Sequence, residues 1–131
     1  MALVVETTTT ATVSNADSVT INKPTGVVGG DLLVLVASGY GTNAPSCSGF
    51  TVGVTKTQDN SGTLKDASVS LLYKIAGGSE PSTYTVTLSG ATTSGSACML
   101  RISGWTTGNP IYRSSNAGGN HDTASISLGT S

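Results

Sequence analysis

His121 and Asp122 are neighbours, and they form the only His–acid pair that this chain can make in sequence, because it holds a single histidine. An imidazole oriented by a carboxylate can move protons, but it needs a nucleophile or substrate group brought within hydrogen-bond reach. No Gly-x-Ser-x-Gly elbow or other nucleophile motif accompanies it. The pair follows Gly118-Gly119-Asn120 and reads as part of a turn. The seven acids, Glu6, Asp17, Asp31, Asp59, Asp66, Glu80 and Asp122, are spread along the chain, and nothing in their spacing selects two as a glycosidase pair. Asp59-Asn60-Ser61-Gly62 resembles the start of a calcium loop but lacks the later acidic ligands, so it reads as a plain turn. Asp31, after Gly29-Gly30, reads as a turn cap. Cys47 and Cys98 with one distant His are too few ligands for a zinc site. They are expected as two buried thiols, with a disulfide between them as the alternative. The chain is therefore expected to be no enzyme, with no catalytic residue, no cofactor and no metal.

What remains is surface recognition. Tyr40, Trp105 and Tyr112 fall in expected loops, where aromatic rings stack on sugars, anchor a protein interface, or plug the end of a sheet sandwich. Leu3, Val4 and Val5 put apolar side chains at the start of the chain, where most domains carry expendable polar residues. These six are the expected partner-binding residues. The Gly29-Gly30-Asp31 stretch is not a phosphate cradle, because no GxGxxG or GxxxxGK pattern follows and no helix opens after it.

Charged residues make up 10% of the chain and the net charge is −1, with six Lys and Arg scattered singly. That excludes a phosphate-tracking stripe, so no nucleic-acid partner is expected. No basic amphipathic stretch and no apolar run near 20 residues points to a membrane. The first residues, MALVVETTTT, lack a charged n-region and a full apolar h-region, so export through a Sec signal is not expected.

The elements that must carry these residues are strands. Thr (21), Ser (19) and Gly (17) dominate, and no segment sustains a 3.6-residue period. Residues 32 to 37 are six apolar residues in a row, the signature of a central strand covered on both faces. Pro24-Thr25-Gly26 and Gly29-Gly30-Asp31 before them are turns feeding the chain into the core. Tyr84, Val86 and Leu88 alternate with Thr83, Thr85 and Thr87. Val69, Leu71, Tyr73 and Ile75 share a second alternating face, opposite Ser68, Ser70 and Lys74. Residues 97 to 102 are apolar except for Arg101 and read as a second central strand. The pattern predicts an all-β fold: a single antiparallel β-sandwich, jelly-roll or Ig-like, of seven to nine short strands. Residues 1–15 are read as an N-terminal arm or edge strand and 16–131 as the sandwich. The predicted core is Leu33, Leu35, Val69, Leu71, Tyr73, Val86, Leu88, Leu100 and Ile102.

Three linked stretches, VTINKPTGVVGGDLLVLVAS, VSLLYKIAGGSEPSTYTVTLS and CMLRISGWTTGNPIY, resemble in order and spacing a set of β-sandwich modules of tailed-bacteriophage virion proteins. The shared features are a Lys-Pro-x-Gly turn, a Gly-Asp before an apolar strand, a Tyr-Lys-x-Ala followed by a Glu-Pro turn, and a strand ending in Ser-Gly. The resemblance spans about residues 19 to 112 and carries no catalytic residues. It implies a virion structural protein, a capsid decoration or cement protein on the outer capsid surface. The implied partners are the major capsid protein and sister copies, a homotrimer being favoured. The alternative it implies is a carbohydrate- or receptor-binding module of a phage tail fibre or spike. In either setting, residues 2 to 13 are expected to be ordered by contact with another chain, or else to form an edge strand of the domain's own sheet.

Overall fold

The computed structural model describes residues 2–59, 66–88, 93–106, 108, 110–115 and 125–128, with residues 93, 111–115 and 125–128 by backbone only. Among the described residues there is no helix. The described residues form ten strands: β1 (Val4–Ala16), β2 (Ser18–Asn22), β3 (Leu32–Tyr40), β4 (Ser46–Cys47), β5 (Thr51–Gln58), β6 (Ala67–Ile75), β7 (Thr83–Thr87), β8 (Thr93–Ser103), β9 (Ile111–Ser115) and β10 (Ser125–Leu128). Eight of them build two sheets, in the orders β1-β8-β3-β6-β5 and β2-β7-β4, while among the described residues β9 and β10 pair only with each other. Every pairing is antiparallel. The result is the predicted all-β sandwich. β1 with β8, β2 with β7 and β3 with β6 nest inside one another, which is the winding of a jelly roll. β5 departs from it by joining the edge of the large sheet beside β6.

The principal core lies between the sheets. Leu33, Leu35, Leu72 and Met99 from the large sheet meet Val19, Ile21, Tyr84, Val86 and Leu88 from the small one. Across the large sheet, register aligns Ala11, Ala97, Ala37 and Ser70 in one inward-facing row. Small side chains there leave volume for the bulkier residues of the opposite sheet. The next row is tighter still: a Cβ on Gly95 would lie 2.7 Å from a Leu88 methyl and 2.6 Å from the Ser38 carbonyl oxygen, so only glycine fits.

The large sheet also carries an apolar outer face. Leu32, Val34 and Ile102 are buried there, with Leu71, Tyr73, Leu100 and Trp105 half-buried against them. This second layer corrects the predicted core. Leu33, Leu35, Val86, Leu88 and Ile102 are buried as expected, but Val69 is exposed and Leu71, Tyr73 and Leu100 are half-buried. On β6 it is Ser68, Ser70 and Leu72 that point inward. β6 keeps the expected period with its faces reversed, because its apolar face serves the outer layer and its serines match the small-residue rows inside.

β1 runs along β8 from Val4 opposite Ser103 to Ala16 opposite Thr93. In the single chain the N-terminal segment is therefore an edge strand of the domain's own sheet, paired with β8. Thr7 and Thr9 strengthen the tie by donating their hydroxyls to the carbonyls of Thr25 (3.0 Å) and Asn22 (2.7 Å) across the sandwich.

Candidate functional site

The large sheet's register sorts the candidate residues by end. The start of β1, the start of β3, and the ends of β6 and β8 lie together, since Val5 faces Ile102, Ile102 faces Leu32, and Leu32 faces Ile75. At this end Leu3, Val4, Val5, Val28 and Ile75 are exposed, Val5 by 56% and Val28 by 58%. Trp105, two residues past β8, packs half-buried on the outer apolar layer at the same end. Tyr40 closes β3 at the other end, eight residues along from Leu32, or roughly 26 Å at about 3.3 Å per residue. Tyr40 and Trp105 are thus not brought together into one platform. Tyr112, expected in a loop, falls on strand β9, and its side chain is outside the described residues. His121, Asp122 and the Asn60-Ser61-Gly62 turn also lie outside them.

Tyr40, 50% exposed, borders an open trough of about 290 Å³ lined by Ser38, Ala67, Ser68, Ser94 and Ser96. Its hydroxyls are largely committed: Ser38 and Ser96 bond each other at 3.0 Å, and Ser68 donates to the carbonyls of Asn43 (2.9 Å) and Gly39 (3.3 Å).

The charged residues of the three linked motifs converge at the apolar end, and they are used internally. The Asp31 carboxylate accepts the Arg101 Nε–H at 2.6 Å and the Val28 N–H at 2.9 Å. Both side chains are largely buried. Arg101 passes under the Gly26 turn, where φ is +79°, a conformation that favours glycine, and an added Cβ would fall 2.7 Å from Nη1 and displace the guanidinium. Beside this pair, Glu80 accepts from the Lys74 ammonium at 2.7 Å and the Tyr84 hydroxyl at 2.6 Å through one oxygen, and from the Gly77 N–H at 2.6 Å through the other. Lys23 donates to the Glu80 carbonyl at 3.2 Å. Phe50 meets the Tyr84 ring edge to face at 5.3 Å, and the Lys74 ammonium lies 5.8 Å from that ring's centroid. Backbone bonds from Gly30 to Ala76 and from Ala76 to Asp31 stitch the two turns together.

Electrostatics follow this geometry. Burial works against the Glu80 carboxylate, but the hydrogen bonds from Lys74, Tyr84 and Gly77, with the Lys74 charge, outweigh it and hold its pKa at about 2. Burial raises the Tyr84 hydroxyl above its ordinary value, and donation to the anionic Glu80 raises it further. Burial also raises the Cys47 thiol, partly offset by Lys74. A thiol so placed is a poor nucleophile. Both cysteines are free. Cys47 faces the core between the sheets, whereas Cys98 aligns with Val36 and Leu71 on the outer face, so the alternative of a bridge is not realised.

Sequence reading missed these two nests because Asp31 and Arg101 lie 70 residues apart. One signal was legible: an arginine inside the apolar run Met99-Leu100-Arg101-Ile102 needs a partner wherever it is buried. Among the described residues no three of His, Cys, Asp and Glu gather within metal-binding range. In comparison with known proteins, the chain matches no family model, no curated protein and no solved structure.

Proposed function

We propose that this chain is a structural protein of a bacteriophage virion, a decoration or cement protein that attaches to the outer capsid shell and bridges neighbouring subunits of the major capsid protein. The observation that carries the reading is the apolar end of the sandwich. Leu3, Val4, Val5, Val28 and Ile75 are exposed there, while Asp31 with Arg101 and Lys74 with Glu80 are paired internally and the exposed Glu6 accepts from the Ser103 hydroxyl. An exposed apolar group on a rigid base suits adhesion, and repetition over a shell multiplies weak contacts. The virion setting rests on the resemblance of the three linked motifs, which is an analogy between sequences.

Purified DNA-filled particles should contain the chain in copy numbers comparable to the shell protein. Substituting Val4→Asp and Val5→Asp together should abolish recruitment to particles while leaving the melting temperature of the free protein within a few degrees. A few copies per particle by mass spectrometry, or full recruitment of the double variant, sinks the proposal.

The second reading, a sugar- or receptor-binding module of a tail fibre, is favoured by one feature, the exposed Tyr40 ring beside the serine trough. It requires that Tyr40→Ala reduce host adsorption or glycan binding at least tenfold.

A further inference from the structure

The two edges of the large sheet are not alike. On β5 the edge is broken by a register shift between Val52 and Val54, and it carries Lys56. Both are devices that keep sheet edges from pairing with other chains. The edges of the small sheet are short: β4 has two residues, and β2 has five before Lys23-Pro24. β1 has none of these protections over its middle. Its register shifts fall near its ends, between Val5 and Thr7 and between Val13 and Ala16, and the seven residues between them pair with β8 without interruption. That stretch, Thr-Thr-Thr-Thr-Ala-Thr-Val, has no charge, no proline and no glycine, and it is rich in strand-forming threonine. Among the described residues it has one neighbour in its sheet, β8.

We propose that the β1 edge is a self-pairing surface: two copies of this chain join antiparallel through residues 7–13 about a twofold axis at Thr10, making one continuous ten-stranded sheet. The occupant is a second copy because the segment complements itself. A twofold at its centre sets Thr10 against Thr10, Thr8 against Thr12 and Thr9 against Ala11. Inward-facing residues then meet inward-facing ones, so the partner's sheet continues the same two faces. No like charges are opposed in the stretch, and a net charge of −1 gives two copies little to repel. An isologous contact of this kind closes at two copies, so it forms a dimer and no fibre. The inference is independent of any place in a virion.

Charge placed at Thr10 tests both the surface and the register. Thr10 is exposed in the single chain, so Thr10→Lys and Thr10→Glu should each fold, as circular dichroism checks. Sedimentation of the unaltered protein should give twice the 13.0 kDa chain mass. Each variant alone should run as a monomer, because like charges directly opposite one another destabilise a strand pair. An equimolar mixture of the two should regain the dimer, and Thr57→Lys on the opposite edge should leave it intact. A wild-type monomer up to about 1 mM, the weak end of specific affinity, overturns the proposal. So does a trimer, or a dimer that survives both Thr10 charges.

Discussion

Glu80 shows how one residue's burial sets its role. A carboxylate in this chain could have been a catalytic acid, but the one held most firmly accepts three hydrogen bonds and sits in its charged state with a pKa of about 2. Its pKa is depressed on folding, so its contribution is full above the ordinary carboxylate value of 4.5 and is lost as pH falls through 4.5 toward 2. We expect the denaturant midpoint of the unaltered protein to drop across that window. In Glu80→Gln the drop should be shallower, with stability at neutral pH lower by about 1–3 kcal/mol, the range for a lost charged hydrogen bond. Equal slopes for both proteins between pH 4.5 and 2 would show that the carboxylate is not held as described. Tyr84 acts at the other extreme: its raised pKa gives stability that is complete below its ordinary range and lost as pH climbs through it.

At the scale of elements, β6 and β1 carry the informative differences. On β6, Leu72 is fully buried between the sheets while Val69 is 37% exposed on the outer face. Leu72→Ala should therefore cost about 2–5 kcal/mol. Val69→Thr should stay within about 0.5 kcal/mol, as surface changes do. Equal costs by chemical denaturation would mean that the strand faces the other way. On β1, deleting residues 2 to 10 removes the pairing of Val4 through Thr10 with β8, together with the Thr7 and Thr9 hydroxyl bonds. The deletion should lower the melting temperature of the isolated domain by ten degrees or more, or unfold it, as calorimetry would read; each kcal/mol is worth about 3–5 °C in a domain of this size. An unchanged melting temperature would return the segment to the role of an arm ordered by another chain.

The whole molecule is held by pairings distant in sequence. β1 closes on β8, so Val4 meets Ser103, and β2 closes on β7 inside that embrace. Apart from the β5–β6 neighbours, the pairs of both sheets join strands that are not consecutive in the chain, so neither sheet can be completed from local contacts. Loop closure must precede most of the favourable burial, which places refolding in the milliseconds-to-seconds range of all-β domains. Stopped-flow fluorescence of Trp105, which packs on the outer layer, is the direct measurement. A refolding time near ten microseconds, the regime of local helical bundles, would contradict this topology.

Periodicity and turn chemistry carried much of this fold in the sequence alone. The unbroken apolar run of β3 gave a strand covered on both faces, and the Thr alternation of β7 gave an inward Tyr84, Val86 and Leu88. Asp31 was legible as a turn cap, and it does accept the Val28 N–H. Alternation, however, fixes a period and not which face turns inward. For β6 the neighbours decided: Leu72 joins the layer between the sheets, and Leu71 and Tyr73 join the outer one. The exposed apolar end was legible only in part. Leu3, Val4 and Val5 could be marked from their position in the chain, but Val28 and Ile75 joined them only when strand register brought the ends of β1, β3, β6 and β8 together. Likewise Arg101 announced a need for a partner without naming Asp31, and Glu80 gave no sign of Lys74 and Tyr84. Local sequence dictates backbone state and side-chain period, because those depend on residues a few places apart. Which face is buried, which charges meet and which edge is left open depend on residues up to about a hundred places away, and only the closed roll brings those into contact.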